Sequence, residues 1–229
     1  MTVFRWRVWR NGAAPILAAV LVSLLGSQSV LAKASVHSPA GLTLKSLSLS
    51  VQDIKSVYGP GGKLAAGMTV TNAMIKSTGA ATGLNSSQAG LIGRQTGYVA
   101  EYIWSRMPSL KGSVVQYPAG VFAVTSIITV YRASSYAQSA MALAQTIKIK
   151  KHPGVTSKYS PLSGVGEKAY LEIQRTVAKN ATTSYGVYVV FEQGRYLEVV
   201  DVNGYVTQPS ESTVVSLAKL LVSRARSAG

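Results

Sequence analysis

Cysteine is absent from this sequence of 229 residues. Disulfides, thiolate metal sites and a lipid-modified cysteine at an export cleavage point are therefore excluded, because each requires a thiol. Histidine is almost as scarce: His37 and His152 stand far apart, and no aspartate-rich loop offers oxygen ligands to a metal ion. We therefore expect no metal, no cofactor and a fold that is held together by its apolar core.

Acidic side chains are also scarce, since 8 Asp and Glu residues stand against 23 Lys and Arg residues, a net charge of +15. Such a surface attracts polyanions, including cell-envelope polymers, although a solvated basic surface is the ordinary interpretation. Aromatic platforms for nucleic acid are not interleaved with the main basic cluster, so we expect no nucleic-acid binding. That cluster consists of Lys148, Lys150, Lys151 and Lys158. It is the best candidate for a polyanion contact, although the ordinary interpretation is that its lysines stabilise the end of a helix.

A long apolar run is missing as well. The strongly apolar stretch over residues 13–25 is shorter than the roughly 20 residues of a membrane-spanning helix. Arg5, Arg7 and Arg10 precede it, and small residues around Ala32 follow it; together these are the parts of a secretory signal peptide. We predict secretion by a bacterium, with cleavage near Ala32. An uncleaved anchor is the alternative, and membrane contact is then through this segment alone.

The rest of the chain is long enough for one domain with a substantial core. We predict a signal peptide over residues 1–32, a flexible leader over 33–50 and a single α+β domain over 51–229. Residues 52–58 fit one helical turn, and residues 63–76 fit a strand or a short helix equally well.

Strand patterns dominate from residue 91 onwards. Alternation predicts a strand over 98–104, and a nearly continuous run of β-formers predicts a central, covered strand over 121–131. Further strands are expected around 169–173, 185–192 and 196–202, the last two as a hairpin at Gln193-Gly194. Helices are expected after Ser134 and after Pro209. The roughly repeated strand-strand-helix order predicts an α+β fold, a curved antiparallel sheet packed against two main helices on one face.

Carboxylates offer one candidate for catalysis. Glu192 and Glu198 face each other across the predicted hairpin, with Glu172 and Asp201 on neighbouring strands, and a glycosidase needs two carboxyls at one cleft. The ordinary interpretation is a solvent-facing sheet surface whose acids pair with nearby cations. No Gly-x-Ser-x-Gly motif occurs, and neither histidine is placed for a catalytic triad. Whether the chain is an enzyme is left open, with the balance against it.

Several residues carry a resemblance to a known group of proteins. They are Gly93-Arg94, Gly97-Tyr98, the run over 127–131, Gly164 to Ala169, Val187 to Gly194, and Leu217-Ala218-Lys219. Their order resembles exported bacterial α+β domains, including the extracytoplasmic sensor-like domains of receptor kinases and related mycobacterial lipoproteins. The resemblance implies a curved antiparallel sheet backed by helices, and it implies no catalytic residues.

We therefore expect an exported, non-enzymatic binding or sensor-like domain of unknown ligand. The alternatives are an exported hydrolase that uses Glu192 and Glu198, and an envelope-associated structural protein that binds anionic polymers. A small ligand would lie on the open sheet face or between sheet and helices. Contributors to that surface are predicted to be Arg94, Tyr98, Tyr102 and Trp104, although Trp104 also suits the core.

Overall fold

The computed structural model describes residues 43–73, 93–104, 120–146, 155–177 and 183–228. They form one open, curved sheet of seven strands with helices on both faces. The predicted α+β fold with an antiparallel sheet is confirmed. The predicted signal peptide and the first part of the leader lie outside these ranges.

The strands and helices follow one another along the chain in two groups. The strands are β1 (Gly62–Val70), β2 (Arg94–Trp104), β3 (Val121–Tyr131), β4 (Val155–Leu162), β5 (Lys168–Val177), β6 (Thr183–Gln193) and β7 (Tyr196–Tyr205). The helices are α1 (Leu44–Leu47), α2 (Val51–Tyr58), α3 (Ser134–Thr146) and α4 (Glu211–Ala228). Three strands precede α3 and four precede α4, which is the roughly repeated order that the sequence predicts.

The two groups join at the centre of the sheet, whose strand order is β1-β2-β3-β7-β6-β5-β4. Every neighbouring pair is antiparallel. Strand β3 lies between β2 and β7 and is buried at most positions, because its β-branched and aromatic side chains pack on both faces. The predicted central strand over 121–131 is thus confirmed.

The two main helices lie on opposite faces of the sheet, contrary to the expectation of one helical face. Helix α4 covers the larger core together with α1 and α2, and its apolar stripe includes Val214, Leu217 and Leu221. Helix α3 covers one end of the other face, where Ala137 and Met141 pack on strands. We refer to these as the α4 face and the α3 face. Helical periodicity identifies the buried side of a helix but not the sheet face that receives it.

The N-terminal segment over residues 43–58 packs on the α4 face. Leu44, Leu47 and Leu49 are buried there, although the leader was predicted to extend to residue 50. Helix α2 begins with a reciprocal cap, since the Ser50 side chain accepts from the Asp53 backbone and Asp53 accepts from the Ser50 backbone. The segment 63–76, which fitted either a strand or a helix, forms β1 as far as Val70.

Strand β4 has no counterpart among the predicted elements. Most of its side chains are exposed and it contains Pro161, so it shows no apolar periodicity. It forms at the sheet edge, where it pairs with β5 over eight residues and where proline is tolerated. No helix within the described ranges is long and apolar enough to span a bilayer.

Candidate functional site

A continuous row of polar side chains crosses the α3 face. Strand register places one residue from each of six adjacent strands directly opposite the next. Neighbouring strands are about 4.8 Å apart, so the row is about 24 Å long and the backbones of successive acids along it are about 10 Å apart. From β2 to β4, this transverse row consists of Glu101, Thr125, Asp201, Tyr188, Glu172 and Tyr159.

The row marks a boundary on this face. The next positions towards α3 are mostly apolar, including Val99, Ile127 and Val199, and several of them pack in the α3-face core. The next positions on the other side are mainly small or polar, including Asn203, Gly186 and Gln174. The transverse row therefore lies where this face changes from apolar to polar side chains, and four of its members, Thr125, Asp201, Tyr188 and Glu172, are buried.

Two of the carboxylates are held by amides on their own strands. Gln174 Nε2 donates to Glu172 Oε1 at 2.7 Å, and Asn203 Nδ2 donates to Asp201 Oδ1 at 2.8 Å. In both pairs the amide is two residues further along the strand, which places it on the same face. Glu172 is also hydrogen-bonded to the hydroxyl of Tyr159. These contacts fix the orientation of both acids.

Burial shifts the acids of the row towards their protonated forms. It raises the pKa of Glu101 and of Glu172, because a charge loses hydration there. Burial raises the pKa of Asp201 to about 8, with the Asn203 hydrogen bond acting against the shift and the charges of Glu101 and Glu172 adding to it. Within the described part of the chain, none of these three carboxylates forms an ion pair. At neutral pH the row can both donate and accept hydrogen bonds.

Tyr188 lies in the middle of the row between Glu172 and Asp201. Burial raises the pKa of its hydroxyl, and the charges of the two acids add to the shift. Its side chain lies over Gly186, where an added Cβ would come closer than 3.0 Å to two ring carbons and to the hydroxyl oxygen of Tyr188. Glycine at position 186 thus leaves the space that Tyr188 occupies.

The predicted binding residues do not gather on this row. Arg94 is buried beside Tyr131, and its guanidinium donates to Asn72 Oδ1 at 2.5 Å and to the Val70 carbonyl at 2.9 Å. Tyr98 and Tyr102 are buried in the core of the α4 face, where the Tyr102 hydroxyl donates to the Leu49 carbonyl at 2.6 Å. These contacts give the three side chains structural roles, and a role in ligand binding stays a prediction.

The remaining predicted residues are not brought together by the described structure. Trp104 is the last residue of β2. Lys158 is exposed on the edge strand β4. Three members of the predicted basic cluster, Lys148, Lys150 and Lys151, lie outside the described residues, so a polyanion contact at that cluster also stays a prediction.

The pairing of Glu192 with Glu198, on which the hydrolase alternative depends, is wrong. Glu198 lies opposite Phe191, and Glu192 lies opposite Leu197, so their side chains are on opposite faces of the sheet. The prediction placed the two acids directly opposite each other, whereas the two-residue turn at Gly194-Arg195 shifts the pairing by one residue. A shift of one residue moves a side chain to the other face.

Glu172 and Asp201, which the prediction placed beside that pair, do share a face with each other. Sequence reasoning missed Glu101, Thr125 and Tyr188 as their neighbours. Each is an isolated polar residue in a strand. The three become neighbours of the two acids only through the register of five strand pairs, which the sequence does not show. Within the described ranges, no group of three Asp, Glu or His side chains could hold a metal ion.

Comparison with known proteins gives one informative likeness. No protein-family model and no curated protein sequence matches the chain. Among solved structures, the chain is similar to the extracellular domain of PknH from Mycobacterium tuberculosis, with a TM-score of 0.51 and 10% sequence identity. The likeness covers 86% of this chain and 100% of that domain. At this level of identity it shows a shared fold.

Proposed function

We propose that this chain is an exported, non-enzymatic, sensor-like domain that binds a small ligand at the transverse row. The row itself carries the proposal, because it concentrates three of the chain's 8 acidic residues on one face of a strongly basic protein. The fold shared with the extracellular domain of PknH from Mycobacterium tuberculosis supports the sensor-like assignment, and the predicted signal peptide supports export. The hydrolase alternative loses its support, because Glu192 and Glu198 do not share a cleft.

The chemistry of the row favours a ligand with positive charge or many hydrogen-bond donors. Glu172 and Asp201 are buried acids whose carboxyls each accept a hydrogen bond from an amide, and Tyr188 lies between them. A cation near Asp201 favours its ionised form and lowers its pKa. Binding of a cationic ligand is therefore expected to release protons at neutral pH, which makes the affinity increase with pH.

The test is calorimetric titration of the purified protein with spermidine and choline as cationic probes, and with glucose and sulfate as neutral and anionic probes. We expect binding of a cationic probe, and at least tenfold weaker binding in the double variant Glu172→Gln, Asp201→Asn. Glu211→Gln is the matched control, because Glu211 is an exposed acid at the start of α4. Equal affinity in the double variant and the control would remove the row from the binding site.

Export has its own test. N-terminal sequencing of the protein recovered outside the cell is expected to begin at Lys33 or a close neighbour. An intact N-terminus on a membrane-bound protein would instead support the uncleaved anchor.

A second candidate, binding of an anionic envelope polymer, is favoured by a different surface. A cavity of about 490 Å³ lies along the exposed side of α4 and is lined by Lys219 and Arg226, with no carboxylate among its lining residues. This geometry suits a phosphate or sulfate group. Retention on heparin resin is expected to fall with salt and to weaken in Lys219→Ala, Arg226→Ala. Equal retention in the variant would contradict this site.

A further inference from the structure

Glu198 is a carboxyl in the centre of the main core. It lies on β7, is fully buried on the α4 face, and has the apolar neighbours Ile128 and Phe191 on the adjacent strands. Neither of its carboxyl oxygens has a hydrogen-bond partner within the described part of the chain. Buried polar groups are normally paired, so an unpaired carboxyl in a core requires an explanation.

Arg224 of α4 holds the N-terminal segment in place. Its Nη1 donates to the Ser48 carbonyl at 2.6 Å, and its Nη2 donates to Asp53 Oδ1 at 2.8 Å and Oδ2 at 2.9 Å. Asp53 in turn caps α2, since it accepts from the Ser50 backbone at 2.6 Å. One guanidinium therefore joins the strap, which we define as residues 43–58, to the C-terminal helix.

Arg224 also acts on Glu198. Its positive charge is the one favourable charge that the described residues place within electrostatic reach of that carboxyl. Ser48 connects the two regions further, because its hydroxyl donates to Ser126 at 3.1 Å, and Ser126 lies two residues before Ile128, the neighbour of Glu198. Arg224 thus binds one carboxylate, Asp53, and acts through its charge on another, Glu198, which has no hydrogen-bond partner among the described residues.

We propose that Glu198 and Asp53 compete for Arg224, so that ionisation of Glu198 loosens the strap from the C-terminal helix. When Glu198 is neutral, its carboxyl does not attract Arg224, and the guanidinium stays hydrogen-bonded to Asp53 and the Ser48 carbonyl. When Glu198 is ionised, it is an uncompensated charge in the core. Movement of Arg224 towards it is then strongly favourable, because the guanidinium compensates that charge. The strap then loses the contact that joins it to α4.

The other ionisable groups on this face do not offer the same competition. Those that are buried or half-buried are Asp53 and Tyr58 on α2, Tyr98 and Tyr102 on β2, Tyr185 on β6, and Tyr196 and Tyr205 on β7. Burial raises the pKa of Tyr102 to about 12, with Tyr98 and Asp53 adding to the shift, so it stays protonated below pH 9. The remaining charged residues of α1, α2 and α4 are exposed: Lys45, Lys55, Glu211, Lys219 and Arg226.

The test is amide hydrogen exchange of residues 43–58 between pH 6 and pH 9, corrected for the intrinsic pH dependence of exchange. We expect protection of the strap to fall at least tenfold over this range in the unmodified protein. In Glu198→Gln, which keeps the size but removes the charge, protection is expected to change by less than twofold. Glu198→Met serves the same purpose if the amide is not accommodated in the core.

Asp201→Asn is the matched control, because burial also raises the pKa of Asp201 to about 8 but its side chain lies on the opposite face. We expect this variant to lose protection as the unmodified protein does. The proposal is overturned if the strap is insensitive to pH, if Glu198→Gln behaves as the unmodified protein, or if Asp201→Asn alone abolishes the response.

Discussion

Arg224 and Asp53 form an ion pair, with Nη2 2.8 Å from Oδ1, across 171 residues of sequence. The pair joins helix α2 to helix α4. Burial acts to raise the pKa of Asp53, but hydrogen bonds from Ser50 and Arg224 and the charge of Arg224 outweigh it, so the pKa is lowered. This net shift shows that the contacts of Asp53 favour its ionised form.

Replacing Arg224 with alanine is expected to lower the free energy of unfolding by about 1–2 kcal/mol. The side chain of Arg224 is 30% exposed, so solvent screens part of the ion pair, and the loss comes mainly from Asp53 Oδ1 and the Ser48 carbonyl, which lose their Arg224 donor. Urea unfolding measures the change.

Arg226→Ala is the control for this change, because Arg226 is exposed and donates only to the side chain of Gln193 among the described contacts. Its effect should stay within about 0.5 kcal/mol. Equal losses in both variants would mean that the contact with the N-terminal segment contributes nothing to stability.

Stability is expected to fall as pH rises, because of Glu198. Burial raises its pKa from 4.5 to about 8, against which the charge of Arg224 acts. The folded state then binds more protons than the unfolded state between these values, so the contribution is fully present below pH 4.5 and lost as pH rises through about 8. The slope is at most about 1.4 kcal/mol per pH unit for one group.

Denaturation of Glu198→Gln at pH 5, 7 and 9 isolates this effect. The variant should lose less stability than the unmodified protein between pH 5 and pH 9. Asp201 titrates over the same range, so part of the pH dependence remains in Glu198→Gln and should become smaller in the double variant with Asp201→Asn. Parallel pH profiles for Glu198→Gln and the unmodified protein would show that Glu198 does not titrate in this window.

Local patterns predicted the central elements well, and the reason is burial. Strand β3 is apolar on both faces, and α4 carries apolar residues at helical spacing. The local sequence of each therefore indicates whether it is a strand or a helix. Strand β4 does not, because it is mostly exposed and exists through its pairing with β5. The placement of α3 and α4 on opposite faces depends on long-range packing that no local period encodes.

The candidate site depends on register rather than on composition. The hairpin of β6 and β7 was predicted correctly, yet an error of one residue in its pairing placed Glu192 and Glu198 on the same face. Glu101 and Asp201 come together only because β3 pairs with both β2 and β7. The pairing of β3 with β7 joins distant parts of the chain, so the transverse row cannot be recognised from the sequence alone.

Replacing Arg94 with methionine tests whether this predicted binding residue is structural. Its guanidinium is buried and ties β2 to Asn72 and Val70 at the end of β1. Burial lowers the pKa of Arg94 to about 10, with the charge of Tyr131 acting in the opposite direction. We expect a loss of about 2–3 kcal/mol in urea unfolding, since two carbonyl or amide oxygens lose a charged donor. If Arg94→Met kept its stability but no longer bound ligand, the result would support the predicted role of Arg94 in binding.

Replacing Gly186 with alanine is expected to displace Tyr188. The new Cβ would overlap the ring of Tyr188, which is buried and cannot move without repacking, so a loss of about 1–3 kcal/mol is expected in urea unfolding. Ser184→Ala in the same strand is the control, because Ser184 is half-buried at the end of β6, and it should change stability by less than about 0.5 kcal/mol. An unchanged Tyr188 environment in Gly186→Ala, measured by ring proton shifts, would contradict the proposed packing.

Replacing Tyr159 with phenylalanine is expected to raise the pKa of Glu172. Burial already raises that pKa, while hydrogen bonds from Gln174, Tyr159 and Ser157 act against the shift. Removing the Tyr159 hydroxyl takes away one donor that favours the ionised form, so the carboxyl becomes harder to ionise.

Carboxyl ¹³C shifts of Glu172 over pH 3 to 9 measure the change, and Tyr136→Phe on the exposed side of α3 is the control. A lower or unchanged pKa would show that Tyr159 does not stabilise the ionised acid. If the pKa rises as expected, cationic probes should bind more weakly near neutral pH, because more of the protons at the row must be displaced.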